Sequence, residues 1–97
     1  MGAVDVKPYV LRLYVTDATP NSARAIVNAR RLLEEHLPGK YSLEILSIGE
    51  HVAQATQDQI ICAPTLLRLA PPPARRIIGD MSDVERVLKG LDVPLGR

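Results

Sequence analysis

Apolar and polar side chains alternate in two stretches of the first half of the chain, over residues 8–15 and again over residues 41–48. Alternation with period two is typical of a β-strand that buries one face. Between them, apolar residues recur three and four positions apart over residues 21–36, which predicts an amphipathic helix ended by Pro38 and Gly39. Because the crossover passes through a helix, we expect a right-handed βαβ unit with parallel strands.

In the second half, residues 49–59 are polar and predict only a short helix of weak amphipathic character. Two apolar runs follow, residues 65–70 and 75–80, with Pro71 to Pro73 between them. Proline lacks a backbone N–H, so no regular ladder passes through that connection. The apolar runs fit two short strands, but Pro64 also suits the first turn of a helix in place of the first strand. Periodicity alone does not choose between these alternatives.

The last predicted element is a helix that runs to about Lys89. Ser82 and Glu85 have the spacing of a capping box at its start, and Gly90 suits its C-terminal cap. Residues 1–7 and 93–97 are predicted to be loose tails. The whole chain, residues 1–97, is therefore expected to form a single α/β domain with the element order βαβαββα.

Composition narrows the classes of function. Twelve lysines and arginines balance eleven acidic residues in a chain of 97, so no global charge attracts nucleic acid or an anionic membrane. The single cysteine excludes an internal disulfide. No apolar run is long enough for a membrane span, and the N-terminus lacks a signal pattern. We predict a cytoplasmic protein that binds neither nucleic acid nor membranes, with an aliphatic core because Phe and Trp are absent.

Few residues offer catalytic or ligand-binding chemistry. Cys62 lies in an apolar run and is predicted to be a buried small hydrophobe. His36 and His51 are isolated and have no ligand spacing with Cys62, which argues against a metal site. There is no glycine-rich phosphate motif and no nucleophile elbow, so we expect no cofactor and no enzymatic activity.

The predicted order of elements resembles that of thioredoxin-like domains. In that fold a cis proline precedes the third strand, the position of Pro64, and a redox dithiol lies between the first strand and the first helix. Here that place holds Thr19-Pro20-Asn21-Ser22, so dithiol exchange is excluded. A thioredoxin-like enzyme that uses Cys62 alone stays as a minor alternative.

Several motifs, in order and spacing, resemble the KaiB family of circadian clock proteins from about Tyr9 to Val93. They are Leu13-Tyr14-Val15, Thr19-Pro20-Asn21-Ser22, Ala63-Pro64-Thr65-Leu66, Pro71-Pro72-Pro73, Arg75-Arg76-Ile77-Ile78-Gly79-Asp80 and Gly90-Leu91-Asp92. The resemblance implies a non-enzymatic protein that binds the N-terminal ATPase ring of the hexameric kinase KaiC. It also implies competition with a clock-output histidine kinase for that ring, and recruitment of KaiA.

The resemblance further implies two folds. KaiB proteins rest as homo-oligomers, dimers or tetramers, whose C-terminal half is arranged differently (βαββααβ), and they engage KaiC as thioredoxin-like monomers. The second half of this chain is compatible with such a switch because its apolar runs fit either element type. By family position, Gly90 and Asp92 are expected to bias the two folds, since glycine suits a cap in one state at an entropic cost in the other.

The partner-binding residues implied by the resemblance are Arg24, Arg68 and Arg75, whose guanidinium groups suit carboxylates on the ATPase surface. Ser42 and Glu44 lie on the predicted edge that faces KaiA. KaiB proteins that bind KaiA tend to have a lysine at the position of Glu44, and this reversal of charge counts against KaiA binding. The chain is therefore expected to be a clock regulator or, alternatively, a signalling or stress-adaptation module that works with a KaiC homologue or sensor kinase without KaiA.

Overall fold

A computed structural model describes residues 8–16 and 19–92 of the chain. The elements follow the predicted order βαβαββα: β1 (Tyr9–Val15), α1 (Pro20–His36), β2 (Tyr41–Ser47), α2 (Val52–Gln57), β3 (Thr65–Ala70), β4 (Arg75–Ile78) and α3 (Val84–Gly90). The predicted tails, residues 1–7 and 93–97, lie outside the described residues.

The four strands form one sheet in the order β2-β1-β3-β4. Strands β1 and β2 are parallel, as the crossover through α1 requires, and Tyr9 lies beside Tyr41. Strand β3 is antiparallel to both β1 and β4. In this arrangement β1 and β3 are the two central strands, whereas β2 and β4 are edges.

The sheet separates two apolar clusters. The larger cluster joins the sheet to α1 and α3 and contains the buried residues Leu11, Leu13, Val15, Ala25, Ala29, Leu32, Leu33, Leu37, Leu66, Ile77, Met81, Val87, Leu88 and Leu91. The smaller cluster lies toward α2 and contains Tyr14, Leu46, Ala55 and Leu67. Both faces of β3 are therefore covered, and this explains why residues 65–70 read as a continuous apolar run rather than an alternating one.

The helix ends follow local side-chain chemistry, with one correction. Helix α1 starts at Pro20, because Thr19 caps it by accepting a hydrogen bond from the Ser22 backbone N–H at 3.2 Å. Helix α3 is capped by Asp83, whose carboxylate accepts from the Arg86 N–H at 3.2 Å, and not by Ser82. The Ser82 N–H instead donates to the Asp80 carboxylate at 3.1 Å, so the predicted capping box does not form.

Candidate functional site

The position that carries a dithiol in thioredoxin-like proteins is filled by three hydroxyl groups. Ser22 is 3% exposed, and its Oγ accepts a hydrogen bond from the Thr16 N–H at 3.0 Å. The hydroxyls of Thr16 and Thr19 lie 3.1 Å apart. These groups bond to one another and to the first turn of α1, so they fix the start of the helix and offer neither a thiol nor an activated nucleophile.

Pro64 directly precedes β3, whose first residue, Thr65, lies opposite Tyr14 of β1. The Ala63–Pro64 peptide bond is cis, Pro64 is buried, and its carbonyl accepts a hydrogen bond from the Gly79 N–H at 3.0 Å.

Cys62 is exposed, which corrects the expectation that it is buried. The reason is that the Ile60 N–H bonds to the Ala55 carbonyl and Ile60 packs against the smaller cluster, which leaves Cys62 in the bend that follows.

Arg24 and Asp80 join α1 to the segment between β4 and α3. Their Nε and Oδ2 atoms are 3.4 Å apart, and Arg24 also donates to the Asn21 side chain. Asn28, one turn further along α1, donates to the Asp80 backbone carbonyl at 2.8 Å. Hydrogen bonds from Ser82, and then the neighbouring Arg24 guanidinium, lower the pKa of the Asp80 carboxyl below its usual value. The Arg24 side chain is still 57% exposed, so it can contact a partner by exchanging this ion pair.

Arg75 and Arg68 lie opposite each other in β4 and β3, but their surroundings differ. Arg75 is exposed, and its side chain has no hydrogen bond or ion pair with any residue in the described ranges. Arg68 is 2% exposed, and its guanidinium donates to the backbone carbonyls of Leu91 and, at 2.8 Å, Pro73. In this conformation the Arg68 charge is directed into the protein, so the expected contact with a partner requires Arg68 to release these carbonyls.

A polar cluster on the α2 side of the sheet is a feature that the sequence did not reveal. The Asp58 carboxylate accepts from the Tyr14 hydroxyl at 2.5 Å and from Arg12 at 3.0 Å. Arg12 also donates to Glu44 at 3.2 Å, across the pair of strands β1 and β2. Burial, followed by the hydrogen bond to Asp58, raises the pKa of Tyr14 to about 12. The sequence shows only that Arg12 and Asp58 are polar, because their contact depends on how α2 returns to the sheet.

The exposed edge of the sheet is β2, where Ser42 and Glu44 lie in register with Val10 and Arg12. Both side chains are exposed, as a partner-facing edge requires. Since Glu44 is paired with Arg12, its negative charge is partly compensated within the chain.

Comparisons with known proteins identify the family. The KaiB domain model matches residues 12–93. The chain belongs to the KaiB family. It is 48% identical to the circadian clock oscillator protein KaiB of Synechococcus sp. (strain CC9311), over 90% of this chain and 73% of that protein. It is 47% identical to the protein of the same name from Nostoc sp. (strain PCC 7120 / SAG 25.82 / UTEX 2576), over 90% of this chain and 81% of that one.

The solved structures that resemble this KaiB-family chain have the thioredoxin-like fold. The N-terminal domain of Synechococcus elongatus SasA superposes with a TM-score of 0.71 at 16% identity, covering 100% of this chain and 95% of that one. Mitochondrial thioredoxin 3 from Saccharomyces cerevisiae superposes with a TM-score of 0.72 at 11% identity, covering 91% of this chain and 80% of that one. These likenesses concern the fold alone.

Gly90 and Asp92, the positions expected to bias the two KaiB folds, lie at the end of α3. Gly90 is the last helical residue, and not the cap, which is Leu91. A Cβ atom at Gly90 would lie 1.9 Å from Ile77 Cδ1, so α3 approaches β4 closely here. Asp92 has a φ of 59°, in the left-handed region that aspartate tolerates better than most residues.

Two absences concern the described residues only. Residues 8–16 and 19–92 contain no group of three or more His, Cys, Asp or Glu side chains placed to hold a metal ion. None of the helices in this part of the chain combines the length and the apolar character that crossing a bilayer demands.

Proposed function

We propose that this protein is a clock-type regulator that binds the N-terminal ATPase ring of a KaiC-like hexamer and modulates its phosphorylation and ATPase cycle. The observation that carries the proposal is a thioredoxin-like fold, in a KaiB-family chain, whose dithiol position holds Thr19, Pro20, Asn21 and Ser22. A thioredoxin-like fold without a dithiol at this position cannot exchange disulfides there, and its surface is available for recognition. We infer that it acts in the cytoplasm and is not an enzyme.

The same fold in the N-terminal domain of SasA supports a second part of the proposal. Two proteins of one shape can compete for one surface, so we propose that a clock-output histidine kinase and this protein exclude each other from the ring. The described conformation is the binding-competent one in this scheme. At rest the chain forms a homo-oligomer with the other arrangement of its second half, and ring binding draws it toward the monomer.

Arg24 and Arg75 are the proposed contacts with the ring. Both side chains are exposed, and arginine pairs with carboxylates through two parallel hydrogen bonds. Arg75 enters the complex without losing an ion pair to a described residue, whereas Arg24 must release Asp80. We therefore expect Arg75 to contribute more to ring affinity than Arg24 does.

The test is co-elution with a KaiC-like hexamer and with its isolated N-terminal ring, after overnight incubation. Arg75→Glu is expected to weaken the complex by about tenfold or more, because it places like charges opposite the ring's carboxylates. Arg31→Glu is the matched control: Arg31 is also exposed and, among residues 8–16 and 19–92, donates only to Asn28 on its own helix. Failure of the parent protein to bind either form, or equal losses in both variants, would contradict the proposal.

Glu44 favours a second candidate role, that of a signalling or stress-adaptation module that works with a KaiC homologue or sensor kinase and does not need KaiA. Glu44 lies on the edge strand β2 and pairs with Arg12 of β1. Its negative charge is opposite to that of the lysine found in KaiA-binding relatives. Adding KaiA to the preformed complex with the KaiC-like hexamer, and measuring whether KaiA binds, distinguishes the two roles. Recruitment of KaiA supports the clock role, and its absence together with ring binding supports the signalling role.

A further inference from the structure

The buried guanidinium of Arg68 connects three parts of the second half of the chain. Arg68 belongs to the central strand β3 and is 2% exposed. One terminal nitrogen donates to the carbonyl of Leu91, which ends α3, and the other donates to the carbonyl of Pro73, in the connection between β3 and β4. A single side chain thus reaches two segments that are separated in sequence and have no regular hydrogen-bond ladder between them.

The charge of Arg68 is compensated in an unusual way. No carboxylate within residues 8–16 and 19–92 forms an ion pair with it. Its acceptors are backbone carbonyls, and that of Leu91 is at the end of α3, where helix carbonyls carry partial negative charge. Arg68 Nε is buried and has no hydrogen-bond partner among the described residues. A buried cation without a counter-ion is retained only where its remaining hydrogen bonds are in place.

We propose that Arg68 is a clamp: a positioning residue that holds the end of α3 and the Pro71–Pro73 connection against the centre of the sheet. Both carbonyls accept hydrogen bonds from the same guanidinium. Loss of either carbonyl therefore leaves the buried charge with too few hydrogen-bond partners. The two segments therefore dock together and release together. The clamp makes the described arrangement of the second half cooperative, and its release is a step in any rearrangement of that half.

The clamp rests on the contacts of Arg68, and only its consequence for ring binding rests on the proposed function. If the described conformation is the one that binds the ring, a weaker clamp lowers the fraction of binding-competent molecules. Apparent ring affinity then falls by the same factor as that fraction.

Amide hydrogen exchange on Arg68→Met tests the clamp when parent and variant are both diluted until sedimentation velocity shows monomers, since methionine keeps an unbranched apolar stem and removes both donors. We expect exchange of the amides at Val87, Leu88 and Leu91 and of those in β4 to speed up together by at least about tenfold. Amides of β2, in the first half, should change by less than about twofold. Arg86→Met is the matched control, because Arg86 also donates to a backbone carbonyl, that of Ile78, but is exposed. Its effect on α3 is expected to stay below about threefold.

Unchanged exchange in α3 of Arg68→Met, or faster exchange in α3 without any change in β4, overturns the clamp. If Arg68→Met does not fold, the clamp is tested by measuring solvent exchange of the guanidinium protons in the unmutated protein. Those of Arg68 should exchange with solvent at least about tenfold more slowly than those of exposed Arg75. Equal rates for the two arginines overturn the proposal without any variant.

Ring binding separates the clamp from the proposed function. Where the monomer is the minor form, Arg68→Met should bind a KaiC-like ring more weakly by the factor by which its monomer fraction, measured by sedimentation velocity, is reduced. If exchange responds as expected but the parent protein binds no ring, the clamp stands and the proposed function falls. If the ring binds Arg68→Met and the parent equally although the monomer fraction has fallen, the link between clamp and binding is wrong.

Discussion

Tyr14 departs strongly from the ordinary chemistry of its side chain. Its ring is fully buried in the smaller cluster, while its hydroxyl reaches the Asp58 carboxylate, which Arg12 also holds. The neutral phenol can donate this hydrogen bond, whereas the phenolate would place a second negative charge beside Asp58. One side chain therefore supplies apolar packing in β1 and a polar attachment for the segment after α2.

The raised pKa of Tyr14 predicts how stability depends on pH. The folded pKa of about 12 exceeds the ordinary tyrosine value of 10.0, so the stabilisation is fully present below pH 10 and is lost as pH rises toward 12. We expect Tyr14→Phe to lower the free energy of unfolding at pH 7 by about 1–2 kcal/mol, because Asp58 loses a donor. The variant should also lose less further stability than the parent between these two pH values. Urea unfolding at a series of pH values measures both effects, and parallel pH profiles for the two proteins would contradict the prediction.

Helix α3 approaches β4 closely at Gly90. Gly90 lets the last turn of α3 approach Ile77 of β4, which is 8% exposed. Alanine is the better helix former by roughly 0.5–1 kcal/mol. Its Cβ would, however, meet Ile77 Cδ1 at 1.9 Å, so the isoleucine must turn aside. The effect of a substitution at Gly90 on this fold is thus the difference between a helix gain and a packing loss.

The helix gain and the packing loss oppose each other, so we expect substitutions at Gly90 and Ile77 to be energetically coupled. Ile77→Val removes Cδ1, the atom nearest to the added methyl group. We expect Gly90→Ala to be more favourable in the Ile77→Val background than in the parent by about 1 kcal/mol, measured by urea unfolding in a double-mutant cycle. Additive effects would show that Ile77 relieves the contact at no cost. In that case Gly90→Ala favours this fold through helix propensity alone.

The elements also show where sequence patterns are sufficient. Alternation over residues 8–15 and the helical stripe over residues 21–36 predicted β1 and α1, because each has one strongly apolar face and carries its polar residues on the other, although that other face of β1 also buries Tyr14. Residues 65–70 were ambiguous because β3 is central and covered on both sides, which removes the polar face. The cap of α3 was displaced by one residue, since Ser82 and Asp83 are both good capping residues and only the preceding turn chooses between them.

The misplaced candidate residues have a similar cause. An arginine in a sequence predicts a surface position, and Arg68 is buried only because two carbonyls from distant segments meet its guanidinium. Cys62 looked buried because its neighbours are apolar, although Ile61 beside it is 90% exposed. Contacts made between segments of the folded chain cannot be read from local patterns, whereas the motifs that identify the family are local and were sufficient for it.

At the scale of the whole molecule, the two halves depend on each other through one apolar cluster. Leu11 and Leu13 of the first half pack with Leu66, Leu88 and other residues of the second half. If the second half leaves this arrangement, the apolar face of the first half must be covered in another way. A second copy of the chain can supply that cover, which gives a physical reason why the alternative fold of the proposed switch is oligomeric.

Mass action then ties ring binding to the concentration of the protein itself. Dilution favours the monomer, so the fraction of binding-competent molecules rises as total protein falls. We expect the observed association rate with a KaiC-like ring, expressed per mole of chain, to fall as protein concentration is raised from about 1 µM to about 100 µM. Stopped-flow or slow-mixing kinetics measure the rate, and sedimentation velocity measures the oligomer fraction in the same samples. Arg68→Met should reach a given oligomer fraction at a lower concentration than the parent, because it weakens the competing monomer. A rate per chain that stays constant while the oligomer fraction changes would show that ring binding does not draw on the monomer.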